Sequence, residues 1–224
     1  MQTILITGAN KGIGFALAKH LAKQPETRLL LTARNPEAGQ AAADELRVEF
    51  YPLDVASPDS VEHLKRDLAL DSLDGLINNA GVYGGDRQRF PNLDLNTLRQ
   101  VLETNLYGVI NLTQTLLPLL KAAPEARILN ISSGMGQFQD VGPGALAYRI
   151  SKAALNMFTA NAAVELQGTN VKIVSVCPGW VRTDMSGAGA NLTPEDSAAR
   201  IAPLLNKSDL ESGRFYRHGE QISF

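Results

Sequence analysis

The chain has 224 residues, 44% of them hydrophobic and 20% charged, with a formal net charge of −2. That length suits one larger α/β domain with a buried core. The near-neutral charge, without basic runs interleaved with aromatics, excludes a chain built for nucleic acid or an anionic membrane surface.

The single cysteine, Cys177, cannot form a disulfide within the chain and fits a reducing cytoplasm. An apolar strand pattern opens at Thr3-Ile4-Leu5-Ile6, so no secretory leader is expected. Strand-like and helix-like stretches then alternate. Gln2–Thr7 reads as a strand, Gly12–Gln24 as a helix, Arg28–Thr32 as a strand and Glu37–Leu46 as a helix. Val48–Pro52 is the next strand, and Ser57 caps a helix predicted to reach Leu70. Leu73–Asn78 follows as a strand, then a long helix over Leu95–Leu120. Thr104–Leu120 carries no charge. Its Asn105, Asn111, Thr113, Gln114 and Pro118 exclude lipid exposure and point to burial within the protein.

Arg127–Ser132 (strand), Tyr148–Leu166 (helix) and Val171–Cys177 (strand) continue the pattern. A helix from Pro194 to Leu205, opened by Thr193-Pro194, and a strand at Arg214–Tyr216 close it. Short strands apolar on both faces, alternating with helices, predict a single doubly wound α/β domain spanning residues 1–224. Its sheet is parallel, with helices on both faces. In such sheets ligands bind beyond the carboxyl ends of the strands.

The first strand runs directly into Thr7-Gly8-Ala9-Asn10-Lys11-Gly12-Ile13-Gly14 and a helix. Glycines there let backbone approach a pyrophosphate, and the helix start offers free N–H groups. Glycines at 8, 12 and 14 depart from the usual G-x-G-x-x-G spacing. Where an acid would grip a ribose 2′-hydroxyl, the second strand ends in Ala33-Arg34-Asn35. Arg34 can instead fork onto a 2′-phosphate, with Lys11 as a second cation, which favours NADP(H).

Tyr148 and Lys152 sit i, i+4 on one helix face. An ammonium beside a phenol favours the phenolate and makes tyrosine a candidate proton donor or acceptor. His20, His63 and His218 lack ligand spacing, so no metal site is expected. Cys177 reads as a buried inert thiol, and Trp180 either lines a pocket or covers it.

Thr7-Gly8-x-x-x-Gly12-x-Gly14, Asn78-Asn79-Ala80-Gly81, Asn105, Ser133, Tyr148-x-x-x-Lys152 and Pro178-Gly179 occur in this order. With them the whole chain resembles the short-chain dehydrogenase/reductases. Tyr148–Met157 and Pro178–Met185 are similar to the C-factor-like and sniffer-like carbonyl reductase branch, as is Leu31-Thr-Ala-Arg34. The resemblance implies a Rossmann fold and hydride transfer between NADP(H) and a small carbonyl or alcohol substrate. It implies that Tyr148 is the general acid/base, with Lys152 lowering its pKa and holding the nicotinamide ribose. Ser133, rather than the adjacent Ser132, would bond the substrate carbonyl, and Asn105 would hold a proton-relay water. Gly8, Asn10, Lys11, Gly12, Ile13 and Gly14 would line the pyrophosphate, with Arg34 at the 2′-phosphate. Asp54, with Val55, would lie at the adenine, and Asn79, Ala80 and Gly81 beside the adenosine ribose. Pro178, Gly179, Val181 and Thr183 would flank the nicotinamide.

The loop from Ser133 to Tyr148 carries Gly134, Gly136, Gly142 and Gly144 and reads as flexible. The short stretch Asp184–Leu192, with Gly187, Ala188, Gly189 and Ala190, predicts an open cleft and a broad range of carbonyl substrates. The resemblance also implies pairing of two copies through helices 95–120 and 148–166. Two other readings stay open: an NADP(H)-binding regulatory protein with little turnover, and an epimerase or dehydratase sharing Tyr-x-x-x-Lys.

Overall fold

Alternating burial along the strands sets the architecture. In β1 (Gln2–Ile6), Ile4 and Ile6 join one apolar cluster and Leu5 joins another, all three fully buried. In β2 (Thr27–Ala33), Leu29 and Leu31 face the first cluster and Leu30 the second. Strands apolar on both faces require a helical layer on each side. The computed structural model describes residues 1–186 and 189–224 and shows that arrangement.

The remaining strands are β3 (Glu49–Pro52), β4 (Gly75–Asn78), β5 (Ala126–Ile131), β6 (Val171–Cys177), β7 (Phe215–Arg217) and β8 (Glu220–Ile222). They form one sheet in the order β3-β2-β1-β4-β5-β6-β7-β8, parallel throughout except for β8. Helices α1 (Gly12–Leu21), α2 (Pro36–Leu46) and α7 (Pro194–Ile201) contribute to the first cluster. The second takes residues from α3 (Pro58–Asp67), α5 (Gly108–Ala122) and α6 (Leu146–Glu165), with α4 (Leu95–Leu102) packed beside α6. The strand order reverses between β1 and β4, which opens a crevice at their carboxyl ends.

Two predicted helix starts are met by side-chain caps. Ser57 Oγ accepts from Ser60 N at 3.3 Å, and Thr193 and Asp196 form a reciprocal capping box. Elsewhere the structure departs from the sequence reading. The single helix expected over 95–120 is interrupted by a π-helical turn at Glu103–Tyr107. The helix expected from Tyr148 begins at Leu146, after Ala145 in the left-handed region (φ 49°). Strand β8 was not foreseen. It follows a two-residue turn of His218 (φ 55°) and Gly219 (φ 84°), the geometry that closes hairpins, but its Glu220 and Gln221 are polar and exposed. No helix among the described residues is long and apolar enough to cross a membrane.

Candidate active site

The turn after β1 is stapled to the segment after β4. Thr7 Oγ1 accepts from Asn79 N and Ala80 N, both at 2.9 Å. Asn79 Nδ2 in return donates to the Thr7 and Gly8 carbonyls at 2.9 and 3.0 Å. The fit leaves no room for side chains. Gly8 has φ +63°, and a Cβ there would stand 2.9 Å from Ala80 Cα. A Cβ at Gly14 would collide with Asn79 Nδ2. The N-cap residue of α1, Lys11, makes no side-chain cap, so the first N–H groups of α1 have no capping side chain.

A cleft of about 660 Å³ runs from this turn along the carboxyl ends of the strands. Its walls include Gly8, Asn10, Lys11, Gly12, Ile13, Arg34, Asp54, Val55, Asn79, Ala80 and Gly81 at one end. Tyr148, Lys152, Pro178 and Thr183 line the same cleft. Arg34 is exposed and forms no ion pair among the described residues. Lys11 is differently engaged: its Nζ pairs with Asp184 at 2.6 Å, joining the glycine turn to the segment after β6. Thr183 faces Gly12, where a Cβ would lie 3.5 Å from Thr183 Cγ2. Gly14 and Val181 are buried beside these walls, and Gly179 (φ +85°) turns the chain away from β6.

Tyr148 is buried on the first turn of α6. Burial pushes its phenol up to about 12, against the opposing pull of the nearby Ser133 hydroxyl. Lys152 is also buried. Its Nζ lies 5.6 Å from the Tyr148 ring centre and donates to the Ile131 carbonyl at 2.7 Å. Burial pulls that ammonium down to about 8. Burial of the phenol outweighs any help from Lys152, contrary to the expected lowering of the tyrosine pKa by its neighbour.

The two serines separate by direction. Ser132 borders the cleft but its Oγ donates inward to Asn156 Oδ1 at 2.7 Å, while Ser133 Oγ accepts from Met135 N at 3.1 Å and is close enough to Tyr148 to influence its phenol. The loop beyond Ser133 is less free than its glycines suggest. It forms 3-10 turns at Gly134–Gly136 and Phe138–Asp140, and both Gly134 and Gly136 are buried.

Asn105 lies in the π-helical turn, fully buried. Its amide accepts from Val82 N at 2.8 Å and donates to Val82 O at 2.9 Å and Ser151 Oγ at 3.0 Å. A Cβ at Gly81 would sit 3.2 Å from Asn105 Oδ1 and 3.8 Å from Lys152 Nζ, so all three share one space. Such turns insert an extra residue and re-aim a side chain.

Residues 2–191 match the family described as short chain dehydrogenase. The chain belongs to this family. It is similar to the mouse (Mus musculus) NADPH carbonyl reductase 1, 31% identical over an alignment of 246 positions, gaps included, that covers 87% of each protein. Among solved structures, carbonyl reductase Sniffer of D. melanogaster superposes with a TM-score of 0.90 at 33% identity, covering 97% of both chains. An NADPH-bound carbonyl reductase from chicken fatty liver superposes at 0.88 and 31%, covering 100% of this chain and 99% of that one. As a short-chain dehydrogenase the chain is an oxidoreductase with a Rossmann-like sheet.

Several neighbours were not singled out from sequence. Tyr83 lines the cleft and packs edge-on against Tyr148, centroids 5.2 Å apart, its hydroxyl donating to Asp86. Arg182 and Met185 also line it. Only the position of Tyr83 just after Asn-Asn-Ala-Gly could have hinted at this. Trp180 is exposed, its ring against Gly189. Gly187 and Ala188 of the predicted short segment lie outside the described residues. Val181 bridges Leu192 across that segment.

Proposed function

We propose that the chain reduces carbonyl compounds with NADPH as hydride donor. The observation that carries this is one cleft holding Tyr148, Lys152 and Arg34 together with the glycine turn after β1. The names of the mouse, chicken and fly relatives support the same reading.

The turn fits a dinucleotide, since side chains at Gly8 or Gly14 would fill the backbone cradle. Gly8, Asn10, Lys11, Gly12 and Ile13 of the cleft wall, with Gly14 behind them, would hold the pyrophosphate, and Arg34 the 2′-phosphate. Asp54 and Val55 would border the adenine, and Asn79, Ala80 and Gly81 the adenosine ribose. Pro178, Gly179, Val181 and Thr183 would border the nicotinamide. Bound there, NADPH supplies a hydride to the substrate carbonyl carbon.

Tyr148 donates its proton to the carbonyl oxygen as negative charge gathers on it. Burial favours this direction: a phenol held near 12 is protonated at neutral pH and ready to donate. The Ser133 hydroxyl offers a second hydrogen bond to the same oxygen. Lys152 stays close under the ring and, with its value near 8, is mostly charged at pH 7, where it stabilises the phenolate left behind. Asn105 and Lys152 both approach the Cα of Gly81, which puts them near one another for the proton relay expected of Asn105.

Broad carbonyl specificity follows from the short segment between Asp184 and Leu192, and a free buried Cys177 suits the cytoplasm. Exposed Ile150, Met157 and Val164, spaced by seven along α6, support pairing of two copies. Sedimentation equilibrium showing only a 24.1 kDa species would refute that pairing. The function is tested by following NADPH and NADH oxidation against a panel of aldehydes, ketones and quinones. NADPH-dependent turnover of several panel members is expected; no turnover with any would refute the reading.

A further inference from the structure

We propose that Arg217, on the β7–β8 hairpin, is a positioning residue for the reaction, acting through the turn that carries Ser133. The inference rests on the role given to Ser133 above.

Arg217 pairs in register with Cys177, so its side chain starts at the carboxyl end of β6. Its Nε donates to Cys177 Sγ at 3.3 Å and its Nη2 to Gln137 Oε1 at 3.0 Å. No carboxylate lies within ion-pair distance among the described residues. The guanidinium is therefore spent on geometry: one prong holds the strand leading to Pro178, the other holds the Ser133 turn.

That turn is gripped from two sides. A Cβ at Gly134 would run into Arg217 Nη2, and one at Gly136 would stand 2.7 Å from the Lys152 carbonyl carbon. Within the turn, Ser133 O accepts from Gly136 N at 3.0 Å and Gly134 O from Gln137 N at 2.9 Å. Gln137 is buried, and its amide also donates to Ser223 O at 2.6 Å. The separation of α6 from β7 thus fixes the height of Ser133 against Tyr148. His218, next on the hairpin, supports the neighbouring loop, with its Nε2 3.1 Å from where a Gly179 Cβ would lie. A guanidinium fork is suited to this because its two donors are rigidly related, whereas a lysine offers one flexible point.

The test is a double-mutant cycle in carbonyl reduction, with Arg217→Met, Ser133→Ala and the pair. Small misplacement of a catalytic group costs up to about 100-fold. Arg217→Met is expected to lower kcat about 10- to 100-fold, with NADPH affinity close to the parent and Tm somewhat lower, since the buried Gln137 Oε1 loses its donor. In the Ser133→Ala background the same change is expected to cost less than about twofold, because the group it positions is already gone. Multiplying losses, or an Arg217→Met enzyme as fast as the parent, would overturn the proposal. If Ser133→Ala alone leaves kcat unchanged, the role given to Ser133 fails, and the proposal with it. Should Arg217→Met not fold, Gln137→Ala run through the same cycle carries the same expectations, and Arg217→Lys should restore little of the rate.

Discussion

Replacing Lys152 with methionine should stabilise the fold while abolishing turnover, because the ammonium is buried at a cost. Burial alone takes its pKa from 10.5 to about 8. That drop corresponds to a penalty of about 3 kcal/mol on the charged form in the folded state. Methionine has a similar length and no charge to desolvate, but it abandons the hydrogen bond to the Ile131 carbonyl, which returns about 1–2 kcal/mol of the gain. A net stabilisation of about 1–2 kcal/mol remains at pH 7, or about 2–8 °C in Tm for a domain of this size. Linkage fixes the pH dependence. Below pH 8 the lysine is charged in both states and the penalty is complete. Between pH 8 and 10.5 it is neutral when folded and charged when unfolded, so the parent gains stability as pH rises and the variant's advantage closes. Tyr148, raised to about 12, destabilises both proteins alike above pH 10 and cancels in the difference. Urea unfolding of both proteins from pH 6 to 10.5 reads the effect directly. A variant less stable than the parent at pH 7, or an advantage that does not shrink above pH 8, would refute the reasoning.

The two serines give opposite signatures. Ser133→Ala should reduce kcat by about 100- to 1,000-fold, as loss of one donor to a developing oxyanion does, with only the loss of about 0.5–2 kcal/mol that goes with its cap on Met135 N. Ser132→Ala should stay active yet lose about 1–3 kcal/mol in urea unfolding, since Asn156 Oδ1 loses its partner and Asn156 Nδ2 already has none. Arg34→Ala should raise the KM for NADPH by about 10- to 100-fold and leave that for NADH nearly unchanged, as measured by initial rates with each coenzyme.

Much of the fold was legible because its signals are local. Strands such as Leu29–Leu31 are apolar without interruption, Ser57 and Thr193 are good caps, and the glycine turn sits where β1 must meet α1. What escaped depends on tertiary contact. Strand β8 exists because the His218-Gly219 turn folds it back on β7, although Glu220-Gln221 carry no strand pattern. The π-helical turn leaves no trace in periodicity, since Asn105 is held by Val82 and Ser151 from other elements. Site residues set by spacing, Tyr148 and Lys152 above all, could be named from sequence. Arg217 could not, because it reaches Gln137 across 80 positions of chain.

The central claim is that Tyr148 is the proton donor in carbonyl reduction. The most direct measurement pairs NADPH binding with single-turnover reduction in Tyr148→Phe. The phenyl ring keeps the packing against Tyr83, so NADPH affinity should match the parent while the chemical step slows by at least about 100-fold. Reduction by Tyr148→Phe at the parental rate would contradict the account.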